Sequence, residues 1–128
     1  MEAGNLIVLD ASALLAYARG EPRADRVGRV LGSAAISSVN ASEVIAVLAR
    51  FTSGHAAARC VSRLGLSVVA CDWNMAVTTA EVHEATRARG LSLSACACLA
   101  TALRLGVPAV TADETWRGLD VGVEIQVL

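Results

Sequence analysis

Short β-branched runs alternate with helix-period patterns along the chain. Leu6-Ile7-Val8-Leu9 reads as a buried strand. Residues 11–19 predict a helix that breaks at Gly20-Glu21-Pro22. Pro22 is placed to restart a helix, whose apolar face is Ala24, Val27, Val30 and Leu31. Ala34-Ala35-Ile36-Ser37 predicts a second strand. Asn40 is the expected cap of a strong helix with Ala41, Val44, Ile45, Leu48 and Phe51 as its inward stripe. A further helix is expected over residues 55–64, ending at Gly65, and a third strand over 67–70. A long helix capped by Asp72 is expected over 73–89, closed by Gly90. The next covers 92–105, closed by Gly106 and followed by Pro108. Ala109-Val110-Thr111 is the fourth strand, and residues 124–128 the fifth. This alternation predicts βαβ units, and so an α/β domain with a mainly parallel sheet of about five strands covered on both faces. Sites in such sheets lie beyond the carboxyl ends of the strands.

Composition narrows the chemistry. At 128 residues, 55% hydrophobic and 18% charged, the chain is expected to be one domain, 1–128, with a real core. Mean hydropathy is high, +0.54. Yet the longest apolar run, 95–103, is interrupted by Thr101 and is too short to span a bilayer. No charged stretch followed by an apolar one suggests a secretory leader, so no membrane association and a cytoplasmic location are expected. The formal net charge of −1 makes any nucleic-acid contact local rather than a general basic coat. All 11 basic residues are Arg. Without Lys there is no P-loop lysine, no Schiff base and no lysine partner for a phospho-accepting aspartate. Cys60, Cys71, Cys96 and Cys98 form no CxxC pair. Cys96 and Cys98 would sit about 200° apart on a helix, so both cannot face one metal. The expectation is four reduced, buried thiols.

Three acidic residues stand at the predicted carboxyl edge. Asp10 follows the first strand, Asp113 follows the fourth, and Glu43 lies near the start of the helix after the second. Each has a purely structural reading. Asp10 and Asp113 could cap helices, and Asn40-x-x-Glu43 fits a capping box. Together they read differently, because a parallel sheet delivers all three to one edge. Gathered carboxylates repel one another unless a cation intervenes. Oxygen ligands without His or Cys favour Mg²⁺, or Mn²⁺, over zinc. A hard ion beside helix N-termini suited to phosphate points to phosphodiester hydrolysis.

Val8-Leu9-Asp10-Ala11-Ser12-Ala13-Leu14 resembles the opening motif of PIN-domain nucleases. Ile36-Ser37-Ser38-Val39-Asn40-Ala41-Ser42-Glu43-Val44 resembles their second acidic motif. Leu91-Ser92-Leu93, Cys98-Leu99-Ala100-Thr101-Ala102, Gly106-Val107-Pro108 and Val110-Thr111-Ala112-Asp113 are similar to their C-terminal half. The likeness is closest to the VapC toxins of bacterial toxin–antitoxin pairs, and it covers essentially the whole chain. It implies a three-layer α/β/α PIN-like fold and a metal-dependent endoribonuclease. It also implies a VapB-type antitoxin whose C-terminal segment inhibits the site, and a homodimer. Asp10, Glu43 and Asp113 match the family's acidic, catalytic and metal-holding residues; Ser12 and Thr111 match supporting polar neighbours.

One position departs from the pattern. The family places an Asp in the first turn of the helix after Leu-Ser-x, and here that residue is Ala95. It is also the third helical position after Ser92, where a capping box would want an acid. The intact flanks favour an engineered replacement that disarms a toxic nuclease over a natural loss. The leading expectation is a Mg²⁺-dependent endoribonuclease toxin disarmed or weakened at Ala95. The alternative is a catalytically inactive PIN-like module that binds RNA or antitoxin. A phosphatase on the same architecture is disfavoured, since it would want a second Asp where Ser12 stands. Arg19, Arg23, Arg26 and Arg29 read as a solvated helix face, with an RNA-backbone contact as the alternative. Arg87 and Arg89 read as helix C-terminal charges. Trp73 and Trp116 are expected to pack, and the helices over 44–64 to wall a partner groove. His55 and His83 have no partner at ligand spacing.

Overall fold

A computed structural model describes residues 6–128. Its strands are β1 (Ile7–Leu9), β2 (Ala34–Ser37), β3 (Ser67–Val69), β4 (Ala109–Thr111) and β5 (Ile125–Val127). They form one sheet in the order β3-β2-β1-β4-β5, and every pair is parallel. The chain lays β2 and β3 on one side of β1, then crosses to place β4 and β5 on the other. Strand order therefore reverses beside β1, and the crevice at the carboxyl ends of β1 and β4 is the topological switch point. The register pairs Leu9 with Val110, so the residues just beyond them, Asp10 and Thr111, lie level.

Among the described residues, six α-helices cover the sheet: α1 (Ala11–Ala18), α2 (Asp25–Val30), α3 (Ser38–Leu48), α4 (Gly54–Ser62), α5 (Trp73–Ala85) and α6 (Leu93–Leu105). The pleat sends alternate residues to opposite faces. Ile7, Leu9, Ile36 and Val110 pack with Leu14, Val27, Val44 and Val61 from α1 to α4. Val8, Ala35 and Ala109 pack with Met75, Val82, Cys96 and Leu99 from α5 and α6. The three-layer expectation is met. Residues 95–102 of α6 are all buried, which accounts for the apolar run there. A helix enclosed on every side needs no polar stripe, and its small Ala residues allow close approach of the neighbouring backbone.

The elements differ from the sequence pattern in instructive places. Ser37, not Asn40, caps α3, its hydroxyl accepting from the Val39 amide at 3.2 Å. The chain turns straight from β2 into the helix, so Asn40 lies inside the first turn. Phe51 is 84% exposed rather than inward. It lies in the tighter 3-10 turn Ala49–Phe51, which breaks the 3.6-residue period that would carry it under Val44 and Leu48. The helix expected to run to residue 89 stops as α5 at Ala85. A 3-10 turn, Arg87–Arg89, then leads into Gly90, whose φ of +69° suits glycine alone. Trp73 is 80% exposed, because the buried face of α5 is Met75, Thr79 and Val82. Trp116 is buried as expected. Asp72 caps α5 through Oδ1, 2.9 Å from the Met75 amide. All four cysteines are free, but only Cys96 and Cys98 are buried, while Cys60 is exposed.

Leu99 sits wholly buried at the centre of α6. Leu99→Ala should cost about 2–5 kcal/mol by urea unfolding, from lost transfer energy plus the cavity left behind. Leu105→Ala, at a position already partly exposed, should cost well under half of that.

Candidate functional site

Asp10 follows β1 directly and opens α1, in extended backbone conformation, yet its side chain makes no cap hydrogen bond. The carboxylate is instead held as a fixed group, 7% exposed. Oδ2 accepts from Ser12 Oγ at 2.6 Å and from Thr111 Oγ1 at 3.0 Å. Those hydroxyls lie 3.1 Å apart. Ser12 Oγ also accepts from the Ala112 amide, and Thr111 Oγ1 from the Asp113 amide, both at 3.0 Å. Backbone amides thus fix the Ser12 and Thr111 hydroxyls, and those hydroxyls fix the carboxylate.

Glu43 lies on α3, with its charge felt at Asp10. The capping box does not form. Asn40 Nδ2 instead donates to Glu43 Oε1 at 3.2 Å and to the Ser94 carbonyl at 3.0 Å. This amide ties Glu43 to the first turn of α6, where Ala95 stands. Ser92 caps that turn, its hydroxyl accepting from the Ala95 amide at 3.1 Å. Ala95 is buried and brings no polar atom beyond its backbone. Cys98, one turn further along α6, faces the same region. Burial pushes its thiol well above the usual range, and the charges of Asp10 and Glu43 push it further.

Asp113 caps a turn. It is exposed and starts the 3-10 turn Glu114–Trp116. Its Oδ1 accepts from the Thr115 amide at 2.9 Å and from Thr115 Oγ1 at 2.7 Å. The structure brings Asp10 and Glu43 together and leaves Asp113 engaged at the rim. Among the described residues, no three His, Cys, Asp or Glu side chains gather into a group that could hold a metal. Oxygen donors suited to a hard ion are nonetheless present in the carboxylates of Asp10 and Glu43, near enough for the charge of one to act on the other. Sequence reasoning saw Asn40 only as a cap. Its place between Glu43 and α6 depends on a contact 54 residues away.

Several arginines are structural. Arg89 Nη2 donates to the Thr115 and Arg117 carbonyls, at 2.5 and 3.0 Å, pinning the loop that carries Asp113. Arg23 pairs with Glu21 and reaches the Ala112 carbonyl, and Arg26 donates to Gln126 Oε1. Arg19 and Arg29 are exposed, as a solvated face requires.

Burial raises the Asp10 pKa above its ordinary value, against the lowering effect of Ser12 and Thr111; the charge of Glu43 raises it further. An acid raised in the folded state favours folding most when protonated. That contribution is full below the unfolded pKa and is lost as pH rises through the folded one. In EDTA at neutral pH, Asp10→Asn should therefore melt at a higher temperature than the parent chain. The advantage should shrink as pH falls into the carboxylate range, as read by melting curves across pH.

Comparison with known proteins agrees with this fold. The PIN domain family model matches residues 7–121. None of the curated proteins matches the chain. Among solved structures, a toxin–antitoxin complex from Klebsiella pneumoniae is similar with a TM-score of 0.73 at 17% identity, covering 93% of this chain and 99% of that one. VapBC2 from Rickettsia felis, bound to a promoter DNA fragment, gives 0.74 at 11% identity over 96% and 98%. VapC20 from Mycobacterium tuberculosis, a sarcin-ricin-loop-cleaving toxin, gives 0.69 at 20% over 92% and 98%. At these identities the likeness is one of fold. With a family model spanning nearly the whole chain, and the motif residues at the switch point of a five-stranded parallel sheet, the chain belongs to the PIN domain family.

Proposed function

We propose that this chain is the toxin of a toxin–antitoxin pair, an RNA-cleaving PIN scaffold whose Mg²⁺ or Mn²⁺ centre is weakened by Ala95. The observation that carries this reading is a buried, hydroxyl-held Asp10 at the switch point, within reach of the charge of Glu43, which Asn40 ties to the first turn of α6. Asp10 and Glu43 are the residues that would hold the ion, with Asp113 at the rim. A bound divalent ion supplies an activated water and a counter-charge for phosphate. Ser12 and Thr111 keep the Asp10 carboxylate in one orientation. α1, α3 and α6 all begin at this edge, and their N-termini favour a phosphate backbone.

A VapB-type antitoxin is the partner we assign, and a second copy of the chain completes a homodimer in the cytoplasm. The solved relatives that are toxin–antitoxin complexes support the first assignment. So does an apolar groove between α1, α3 and α4, walled by Leu14, Tyr17, Leu48, Val61 and Leu64. No helix among the described residues is long and apolar enough to cross a membrane. The second reading, an inactive module that binds RNA or antitoxin, is favoured by Ala95 and by the engagement of Asp113 with Thr115.

Ala95→Asp decides between them. A carboxylate in the first turn of α6 is tolerated by the helix dipole and should tighten Mn²⁺ binding on the order of 10- to 100-fold. Mg²⁺-dependent cleavage of a panel of structured RNAs should appear with it, and expression should become toxic. Ala95→Asn, similar in shape but uncharged, should recover little. An Ala95→Asp protein that cuts no RNA and is harmless when expressed would leave the binding module as the function. Light scattering at micromolar concentration should give the mass of a dimer; a clean monomer would remove the homodimer from the proposal.

A further inference from the structure

The turn that carries Asp113 is gripped by a guanidinium group at each end. Arg23, in the 3-10 turn Pro22–Ala24, donates from Nη1 to the Ala112 carbonyl at 3.4 Å. Arg89, in the 3-10 turn that precedes α6, donates from Nη2 to the Thr115 and Arg117 carbonyls. Among the described residues, these are the two arginines that bond to this loop from outside it. Ala112 is also the residue whose amide donates to Ser12 Oγ, so Arg23 and the Asp10 network meet on one residue. The hydrogen bond from Arg117 lowers the Glu114 pKa, and the charge of Arg23 lowers it further, which places Arg23 over the same turn.

Neither grip exhausts its side chain. A guanidinium carries five N–H donors in a planar fork. Among the described residues, Arg23 uses Nε on Glu21 and Nη1 on Ala112, and Arg89 uses Nη2 alone. Both residues are exposed. The carbonyl bonds fix where each head group sits, which removes in advance part of the entropy cost of ordering a long side chain on a ligand. The Arg23–Glu21 pair is open to solvent on both sides, so a competing anion can displace the carboxylate. With a net charge of −1 the chain has no general basic coat, and contacts to an anion must be placed one by one.

We infer that Arg23 and Arg89 are phosphate contacts for an RNA strand lying across the carboxyl edge, one at each end of the Asp113 turn. The inference rests on the RNA-cleaving reading above and adds where the backbone is held. Carboxylates at the centre of the edge repel a bare strand. Guanidinium groups at the rim supply the attraction that the centre lacks. An acidic peptide is the other anion of this chemistry; the N-termini of α1, α3 and α6, which open on the same edge, favour phosphate.

The test is fluorescence anisotropy of a labelled single-stranded RNA of random sequence with the purified full chain, in Mg²⁺ across a salt series. Arg23→Gln and Arg89→Gln should each weaken binding about 2- to 5-fold at low salt. Each should also flatten the dependence of log Kd on log salt by about 0.7. Arg23→Lys and Arg89→Lys keep the charge and should keep the parent's slope. Arg63→Gln, exposed where the chain enters β3 at the opposite end of the sheet, should bind like the parent. Glu21→Gln frees Arg23 and should tighten binding more than Glu124→Gln, which removes the same charge ahead of β5. A parent that binds RNA while the Arg23→Gln and Arg89→Gln proteins keep its salt slope overturns the inference and leaves the RNA reading standing. If those variants fail to fold, Glu21→Gln binding no more tightly than Glu124→Gln overturns it instead. Polyglutamate displacing the RNA as well as unlabelled RNA does overturns RNA as the occupant. A parent that binds no RNA overturns the RNA reading itself, and these contacts with it.

Discussion

The structure is arranged around one costly group, the Asp10 carboxylate buried at the end of the central strand. Taking an ionised carboxylate out of water costs several kcal/mol. Hydrogen bonds to a charged group return about 1.5–3 kcal/mol each, and here two hydroxyls supply them. Ser12 comes from the following helix and Thr111 from the neighbouring strand, 101 residues from Asp10. Because Ser12 and Thr111 also receive backbone amides from residues 112 and 113, the same network closes the early part of the chain onto the late part.

Strand register decides which residues join that network. Leu9 opposite Val110 puts Asp10 level with Thr111, while Asp113 lies two residues further along and out of the sheet. An acid at that distance can start a turn, and Asp113 does so through Thr115. Two aspartates that look equivalent as residues following strands therefore differ in kind. One is a buried, oriented charge and the other an exposed turn cap. Arg89 reinforces the difference by holding the carbonyls of the turn that Asp113 begins.

Much of this was legible in the chain. The β-branched runs locate all five strands to within a residue or two, because a short apolar run between turn residues has few other uses in an α/β domain. The glycines at 90 and 106 mark their left-handed positions for the same local reason. What sequence could not supply was competition between neighbours. Ser37 and Asn40 are both good caps, and only the direct exit from β2 into α3 gives the task to Ser37. Phe51 fits the inward stripe until the helix tightens at Ala49, a change of pitch that hydrophobic spacing does not reveal. Asn40 as a tie between Glu43 and α6 required knowing that α3 and α6 meet, a contact between distant segments that no local pattern encodes.

Ala95 shows how separable chemistry and folding are at this edge. The first turn of α6 is already secured without a side-chain acid. Ser92 satisfies the Ala95 amide from one side, and Asn40 engages the Ser94 carbonyl from the other. A carboxylate at 95 would add charge to a region where Glu43 already opposes the ionisation of Asp10, a repulsion that only a cation relieves. In the absence of an ion, Ala is thus the more comfortable residue there. The fold neither needs an acid at 95 nor suffers from its loss, so the identity of residue 95 is free to be set by the chemistry of the site. The burial of Asp10 stands apart from that freedom: it is the charged group on this edge that is hardest to keep, and the Ser12 and Thr111 hydroxyls are what keep it.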